Sequence, residues 1–455
     1  MQHSESGSSP FSKLDFDLLG RILSVNLNAQ AKKALTPYND SEWDINVVQT
    51  VHTGSQPGFE QLRHASQVCS SWRSFILDSP LLWARPLELQ QLLLKPVQWR
   101  DEVLRRTQTS PLHVKASLDG FLRYERDMKA LIVELWDRIE SLDFRFASQE
   151  QQRRASLEEW NALVLRPSTC LRHLKLFCPP SLPRFLDQIS SSPLPFIETL
   201  ELMDVRDALP AGGNIGASIH LPLLKHLRID SVTPYNAPRA LKLLKRLENI
   251  STSDRCTSNL SLHILQSDFS HQVELASAIS QTFAKYLRSA EDVLATAFQE
   301  QATACLTFTQ NNVYFSVRPW MGSILKSSEE TIFAFNIYSA WTDEFIAAFA
   351  SCLESRLSRF DKLANLWFIM DEPDKFEEET ITAMMGIIPR LSSITSILKI
   401  PMEMRRGAAL PSFRDLCILD STPTRDQALE AFLKSRSKDA RSDPIKTVFV
   451  PATLN

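Results

Sequence analysis

The chain has 455 residues, room for about three domains at roughly 150 residues each, or for one long stack of repeated units, which escapes that limit. Lys and Arg total 50 and Asp and Glu 53, a net charge of −3, and this balance argues against a nucleic-acid binder, which needs clustered positive charge. Glycine is scarce, 11 residues where ordinary usage would give roughly 30, which disfavours phosphate-cradling loops and strained catalytic turns.

In chain order, residues 1–13 are Ser-rich and read as a disordered tail. Met1–Pro10 has no basic stretch and no apolar one, so it does not read as a signal peptide. No run of 18 apolar residues predicts a membrane span. A short helix follows, with Leu18, Leu19, Ile22 and Leu23 on one face. Residues 24–61 are polar, broken by Pro37, Gly54, Pro57 and Gly58, and read as a loop. A second helix is expected from about Gly58 to Asp78. Its apolar positions Leu62, Ala65, Cys69, Trp72 and Ile76 step by 3, 4, 3 and 4, and Val68 and Phe75 widen the face. Pro80 cannot extend it, and Leu81-Leu82-Trp83 follow as an apolar cluster.

From residue 139 the pattern becomes apolar-x-x-apolar-x-apolar. It fits Ile139–Phe144, Leu171–Leu176, Ile197–Leu202 and Leu224–Ile229, with weaker copies at Leu247–Ile250, Leu363–Phe368 and Phe413–Ile418 and a last strand at Val448–Val450. The central apolar positions, 142, 174, 200, 227 and 250, lie 32, 26, 27 and 23 apart, the period of an irregular leucine-rich repeat. The spacers read as helices. Leu182, Phe185, Leu186 and Ile189 share a face. Pro238 takes the N1 position before Leu241, Leu244 and Leu247. Thr342 caps a helix with Phe345, Ile346, Phe349 and Leu353, and Thr424-Arg-Asp-Gln427 is a capping box before Leu429, Phe432 and Leu433. One strand and one helix cannot bury their apolar sides alone, so neighbouring units must stack. The repeat's usual turn Asn is missing; Pro179, Val205 and Val232 stand there, and irregular curvature is expected. Residues 250–340 fit worst. They read as an insertion or decayed repeat: a long helix over about 270–300, then strands Cys305–Phe308 and Val313–Val317 turning at Asn311-Asn312.

Three N-terminal pieces then stand in order: Leu14-Asp-Phe-Asp-Leu18-Leu19-Gly-Arg-Ile22-Leu23, Val68-Cys69-Ser-Ser-Trp72-Arg73 and Ser79-Pro80-Leu81-Leu82-Trp83. Together they resemble an F-box, of the type abundant in mushroom-forming fungi, in which Val-Cys-x-x-Trp-Arg and Pro-x-Leu-Trp recur in this order. Trp99-Arg-Asp-Glu-Val-Leu-Arg-Arg and Pro111-Leu-His-Val-Lys-Ala extend the resemblance, which covers about residues 14–115. Asp15 stands where the family has Pro, and the link of roughly 40 residues between the two helices is longer than usual. The resemblance implies docking on the Skp adaptor of a cullin ubiquitin ligase, through Leu18, Leu19, Ile22, Leu23, Val68, Cys69, Trp72, Pro80, Leu81 and Trp83.

The expected architecture is α/β: a tail at 1–13, an all-helical F-box at 14–95, a linking strand and helix region at 96–138, and an irregular leucine-rich-repeat horseshoe at 139–455. Residues alternating with the core positions should face out of the sheet. His173, Lys175, Thr199, Glu201, His226, Arg228 and, with its neighbour Asn365, Trp367 are the candidates for binding a protein substrate. A scaffold outside any ligase is the alternative, and Asp15 favours it. No catalytic, cofactor or metal constellation is expected. Seven cysteines include no Cys-x₂-Cys pair, which fits reduced thiols in a cytoplasmic or nuclear protein. Gly212-Gly213-Asn-Ile-Gly216 lacks the Lys-Ser/Thr of a P-loop.

Overall fold

A computed structural model describes residues 15, 17–23, 57–85, 87–118, 122–146, 159–160, 162–177, 185–186, 189, 194–205, 218–231, 235–253, 255–265, 271–297, 302–309, 312–319, 332–338, 349, 363–370, 395–399, 415–417 and 447–449. The fold is mixed α/β, with mostly parallel strand pairing. Two units divide the chain, Met1–Phe177 and Cys178–Asn455. The tail, residues 24–56 of the expected loop, the helix expected after Thr424 and, Phe349 apart, the one after Thr342 lie outside the described residues, whereas 57–61, the end of that expected loop, are helical.

The first unit opens with helices α1 (17–23), α2 (Pro57–Ala65), α3 (Ser70–Leu77), α4 (Pro80–Ala84), α5 (Leu89–Leu94) and α6 (Val97–Thr107). Asp15 begins α1. Its carbonyl accepts from the Leu19 N–H at 2.9 Å and its carboxylate from the Asp17 N–H at 3.1 Å. Asp15 is thus an N-cap, which holds the helix start by about 1 kcal/mol. Helix α1 lies close against α3: a Cβ on Gly20 would sit 3.3 Å from the Phe75 ring.

The helix expected over 58–78 is two helices. The Val68 N–H reaches back only three residues, to the Ala65 carbonyl at 3.2 Å, and the Ser66 hydroxyl donates to the Arg63 carbonyl at 2.7 Å. Cys69 then takes an extended backbone and caps α3, its Sγ accepting from the Trp72 N–H at 3.4 Å. Apolar periodicity runs through this break because both helices bury the same kind of face. A half-buried hydroxyl and an extended cysteine break the backbone without breaking the pattern.

The centre of the helical part is Trp83, on α4. Its indole N–H donates to the Ile76 carbonyl at 2.7 Å. Phe59 stacks on it at 6.1 Å and meets Trp99 edge-on at 5.6 Å. The Arg106 guanidinium covers the ring at 5.0 Å.

Strands β1 (Leu87–Glu88), β2 (Leu112–Ser117), β3 (Ile139–Arg145) and β4 (His173–Phe177) follow, parallel and in that order, with helix α7 (Glu125–Leu135) between β2 and β3. Leu87, Val114, Leu142 and Leu174 form one buried row. The region expected to link two domains therefore contains a full sheet strand, β2.

In the second unit the sheet contains β5 (Thr199–Met203), β7 (His226–Asp230), β10 (Thr257–Leu265), β11 (Ala302–Thr309), β12 (Asn312–Pro319), β13 (Phe333–Tyr338), β14 (Leu363–Met370), β15 (Thr395–Lys399), β16 (Asp415–Cys417) and β17 (Thr447–Phe449). Short strands β6 (Ile219–His220) and β9 (Ile250–Ser251) pair apart from it, and β8 (Tyr235–Asn236) pairs the end of β10. The order is β5-β7-β10-β13-β12-β11-β14-β15-β16-β17, with only β12 antiparallel to its neighbours. The irregular segment is thus built into the sheet. Asn312 opens β12 opposite Thr309 and is a strand residue rather than part of the turn.

Two consecutive repeats match closely. Leu194-Pro195-Phe196-Ile197 and Leu221-Pro222-Leu223-Leu224 both turn with a backbone bond across four residues, at 3.3 and 3.1 Å. Lys225 Nζ joins the Glu198 carboxylate at 2.5 Å across the two repeats. Where the turn Asn is missing, the main chain supplies the ladder: Val205 N–H donates to Asp230 O at 3.0 Å and Ser231 N–H to Ser261 O at 2.9 Å.

The register puts Leu200, Leu227, Ser258, Phe333 and Val317 in one core row, continued by Ala304, Leu366, Ser396, Leu416 and Val448. Leu366 and Leu416 are the expected repeat positions. The copy expected at Leu247–Ile250 is not part of this sheet: Leu247 lies in a helix and Ile250 in the short strand β9. The central position of that repeat falls instead to Ser258, whose hydroxyl is buried without a hydrogen-bond partner. Ser258→Ala should therefore stabilise the second unit by about 1 kcal/mol, read as a raised denaturation midpoint, because it removes a desolvated group that gains nothing in return. A loss of stability would show that the hydroxyl is bonded in solution.

Helices α8 (Ala237–Glu248) and α9 (Gln272–Ala297) cover the core face. Asn236 caps α8, accepting from the Arg239 N–H at 3.2 Å, which puts Ala237 at the first helical position and Pro238 at the second. Phe283 of α9 packs on Phe315, Phe333, Phe335 and Phe349 at 5.1–5.5 Å. Phe185, Leu186 and Ile189 are helical and buried, as their spacing predicts.

Lys285 of α9 closes the end of α8 by donating to the Leu247 carbonyl at 3.2 Å, the Glu248 carbonyl at 2.6 Å and the Ile250 carbonyl. Burial pushes its ammonium down to about 8, against the opposing pull of Glu248. The unfolded lysine titrates near 10.4, so between these values the unfolded chain holds the extra proton. Stability should rise with pH from about 8 to 10.4, the cost being fully present below 8. Midpoints measured from pH 7 to 11 check this. Lys285→Met should remove that part of the slope, and an unchanged slope would contradict it.

Candidate functional site

The candidate residues fall in three places: the helical module and strand β4 of the first unit, and the sheet of the second. The first is on the helical module. Leu18 and Ile22, one turn apart on α1, are 49% and 42% exposed, whereas Leu19 and Leu23 point into the core. Val68, in the break before α3, and Leu81, on α4, are each 53% exposed. Cys69, Trp72 and Pro80 are half-buried. Trp83 is core, as its carbonyl bond and aromatic stack require. The ten residues thus separate by exposure. Leu18, Ile22, Val68 and Leu81 are exposed, while Leu19, Leu23 and Trp83 are core. Leu94 and Val97, exposed at the α5–α6 junction, had no signal beyond their hydrophobicity.

The second surface is the sheet face opposite α9. On β5, β7, β10, β13 and β12 the register gives rows of outward positions. Thr199, His226 and Thr257 form one. Glu201, Arg228, Asn259, Ala334 and Ser316 form the next, of which Ala334 and Ser316 are buried, and Asp230, Ser261, Asn336 and Tyr314 the third. His226 Nδ1 and Thr257 Oγ1 are 2.8 Å apart. His263 and Tyr338 stack at 4.1 Å, and Asn336 Nδ2 donates to the Tyr338 hydroxyl at 2.8 Å. The second row continues by backbone register through Cys305 to Trp367, and Asn365 pairs Thr303 two positions before it.

His173 and Lys175 belong to the first unit, on β4. There Glu88, Lys115, Asp143 and Lys175 form a row of alternating charge across four strands. Lys175 and Arg145 lie over the Phe177 ring at 5.1 and 4.7 Å. His113, on β2, shares a row with His173. Burial lowers its pKa, opposed by Glu140 at 3.8 Å.

Asn259, Ser261, His263 and Asn336 are not singled out by the sequence. Ser258 breaks the Leu pattern of β10, and Phe333-Ala334-Phe335 hides the alternation of β13. The alternation Leu260, Leu262, Ile264 was the available signal. Among the described residues, no three His, Cys, Asp or Glu side chains gather to hold a metal ion. Burial pushes the Cys256 thiol up to about 12, so it stays protonated at neutral pH. Among the same residues no helix is long and apolar enough to cross a membrane. No protein-family model matches the chain, and no curated protein matches it.

Proposed function

We propose that the chain is the substrate-recognition subunit of a Skp–cullin–F-box ubiquitin ligase. On this reading α1 to α4 are the F-box, and the sheet with its helices is a degenerate leucine-rich-repeat horseshoe. The observation that carries it is the outward pair Leu18 and Ile22, with Val68 and Leu81 exposed in the other two pieces of the F-box resemblance. Apolar side chains left in water at the motif positions suit a partner's apolar face. Asp15 accords with the reading, since it caps α1 rather than disrupting it. The chain itself does no bond chemistry here. It raises the effective concentration of a substrate lysine near the ligase's thioester. His173, Lys175, Thr199, Glu201, His226, Arg228 and Trp367 are its substrate contacts. Affinity purification from the source cell with mass spectrometry tests the proposal. Recovery of the Skp adaptor and cullin is expected. Recovery of other partners without either would favour a scaffold outside any ligase.

A further inference from the structure

We infer that Arg228 anchors a carboxylate side chain of the bound protein, on the outward sheet face of the second unit beside Asn259 and Asn336. The inference rests on the proposed function only for naming that protein a substrate.

Arg228 sits at the middle of its row, between Glu201 on β5 and Asn259 on β10. A guanidinium is charged at every ordinary pH and offers five N–H donors. Its Nε is buried without an acceptor, and among the described residues no hydrogen bond or ion pair reaches the Arg228 side chain. Glu201 is next to it by register, yet the two form no ion pair. Two further polar atoms on this face are also buried without a partner, Asn336 Oδ1 and Ser316 Oγ. Ser316 is fully buried and lies in the row of Arg228, three strand spacings away, about 14 Å. Buried polar groups nearly always have partners. Ser316 is closed off within the fold, but Arg228 and Asn336 are only half-buried, and these two unpartnered groups on one face, one of them a fixed charge, mark a surface built for something else to complete.

The chemistry of that partner follows from the neighbours. An arginine fork matches a carboxylate with two parallel bonds. Glu201 lies one strand away and Asp230 two residues along β7 on the same face. A phosphoryl group carries nearly twice the charge of a carboxylate at neutral pH, so both acidic neighbours repel it about twice as strongly. A single carboxylate is the better fit. Around it, Asn259, Ser261, Asn336 and the His263–Tyr338 stack offer uncharged hydrogen-bonding and aromatic groups, which suits a polypeptide segment more than a free ion.

The test pans a displayed random-peptide library on the full chain. Selected peptides are synthesised with each acidic residue intact and as its amide. Enrichment of one acidic position is expected. Glu→Gln or Asp→Asn there should weaken binding roughly tenfold or more, the scale of a lost charge-assisted bond. Arg228→Met should abolish the preference for the acid over the amide, and Arg228→Lys should keep part of it. The swap on the peptide needs no variant to fold. Selection without acidic residues, equal binding of acid and amide, or an Arg228→Met chain that keeps the preference would each overturn the inference. So would stronger competition by inorganic phosphate than by acetate, which would assign a phosphoryl group instead. No adaptor enters this assay, so its failure and a failure to recover the adaptor are separate results.

Discussion

Trp83→Ala is expected to destabilise the first unit by about 3–5 kcal/mol, the range for truncating a large buried aromatic. Three losses coincide at this residue. The Ile76 carbonyl loses its indole donor, at 2.7 Å and buried. Phe59 loses the ring it stacks on, and Trp99 packs on Phe59 in turn. Arg106 loses the ring beneath its guanidinium. Trp72→Ala should cost clearly less, because Trp72 is only half-buried. Chemical unfolding of both variants, followed by intrinsic fluorescence or circular dichroism, decides the order. A near-zero shift for Trp83→Ala, or a larger one for Trp72→Ala, would misplace the core of the module.

The second large effect is on binding. Leu18→Asp with Ile22→Asp is expected to abolish association with the Skp adaptor and to leave the fold intact. Both side chains already stand in water, so the free protein loses little. An interface that buries them would have to desolvate two carboxylates without partners, at several kcal/mol together. Leu19→Asp is the instructive contrast: Leu19 has no exposed surface, and a charge there should unfold α1 from α3 whether or not any partner binds. Pull-down with purified adaptor, alongside a thermal melt of each variant, separates the two. A folded Leu18→Asp, Ile22→Asp chain that binds at wild-type strength would contradict the proposed face.

The sequence was most legible where one face is apolar and the spacing regular. Leu142 and Leu174 fall in one row and Leu200, Leu227, Leu366 and Leu416 in another, as the repeat pattern predicts. Helices α8 and α9 were legible from their spacing, and the β11–β12 pair from two short β-rich runs. Three things were not. Cys69 fits an apolar helical stripe, so nothing in its spacing announces a cap with an extended backbone. Ser258 fills a core position with a polar residue, so the repeat period slips back to Ile250, which belongs to the short strand β9 outside the main sheet. The third is exposure on α1. Leu18, Leu19, Ile22 and Leu23 make one stripe in sequence, and only tertiary packing, which brings the Gly20 side of α1 against Phe75, separates buried Leu19 and Leu23 from exposed Leu18 and Ile22. In the candidate site, alternation identified Glu201 and Arg228 as outward. It could not tell that Arg228 is unpaired, nor that Asn336 and Ser316 of the irregular segment share its face. Asn259, Ser261 and Asn336 of the irregular segment therefore share one sheet face with Glu201 and Arg228.

Calorimetric titration of the purified full chain with purified Skp adaptor tests the central claim most directly. A one-to-one complex of micromolar affinity or tighter, on the order of −8 kcal/mol or stronger, is predicted, with a negative heat-capacity change from burial of Leu18, Ile22, Val68 and Leu81. A folded chain that gives no complex with the adaptor at concentrations of about 100 µM, where a Kd near 1 µM would saturate it, would contradict the account.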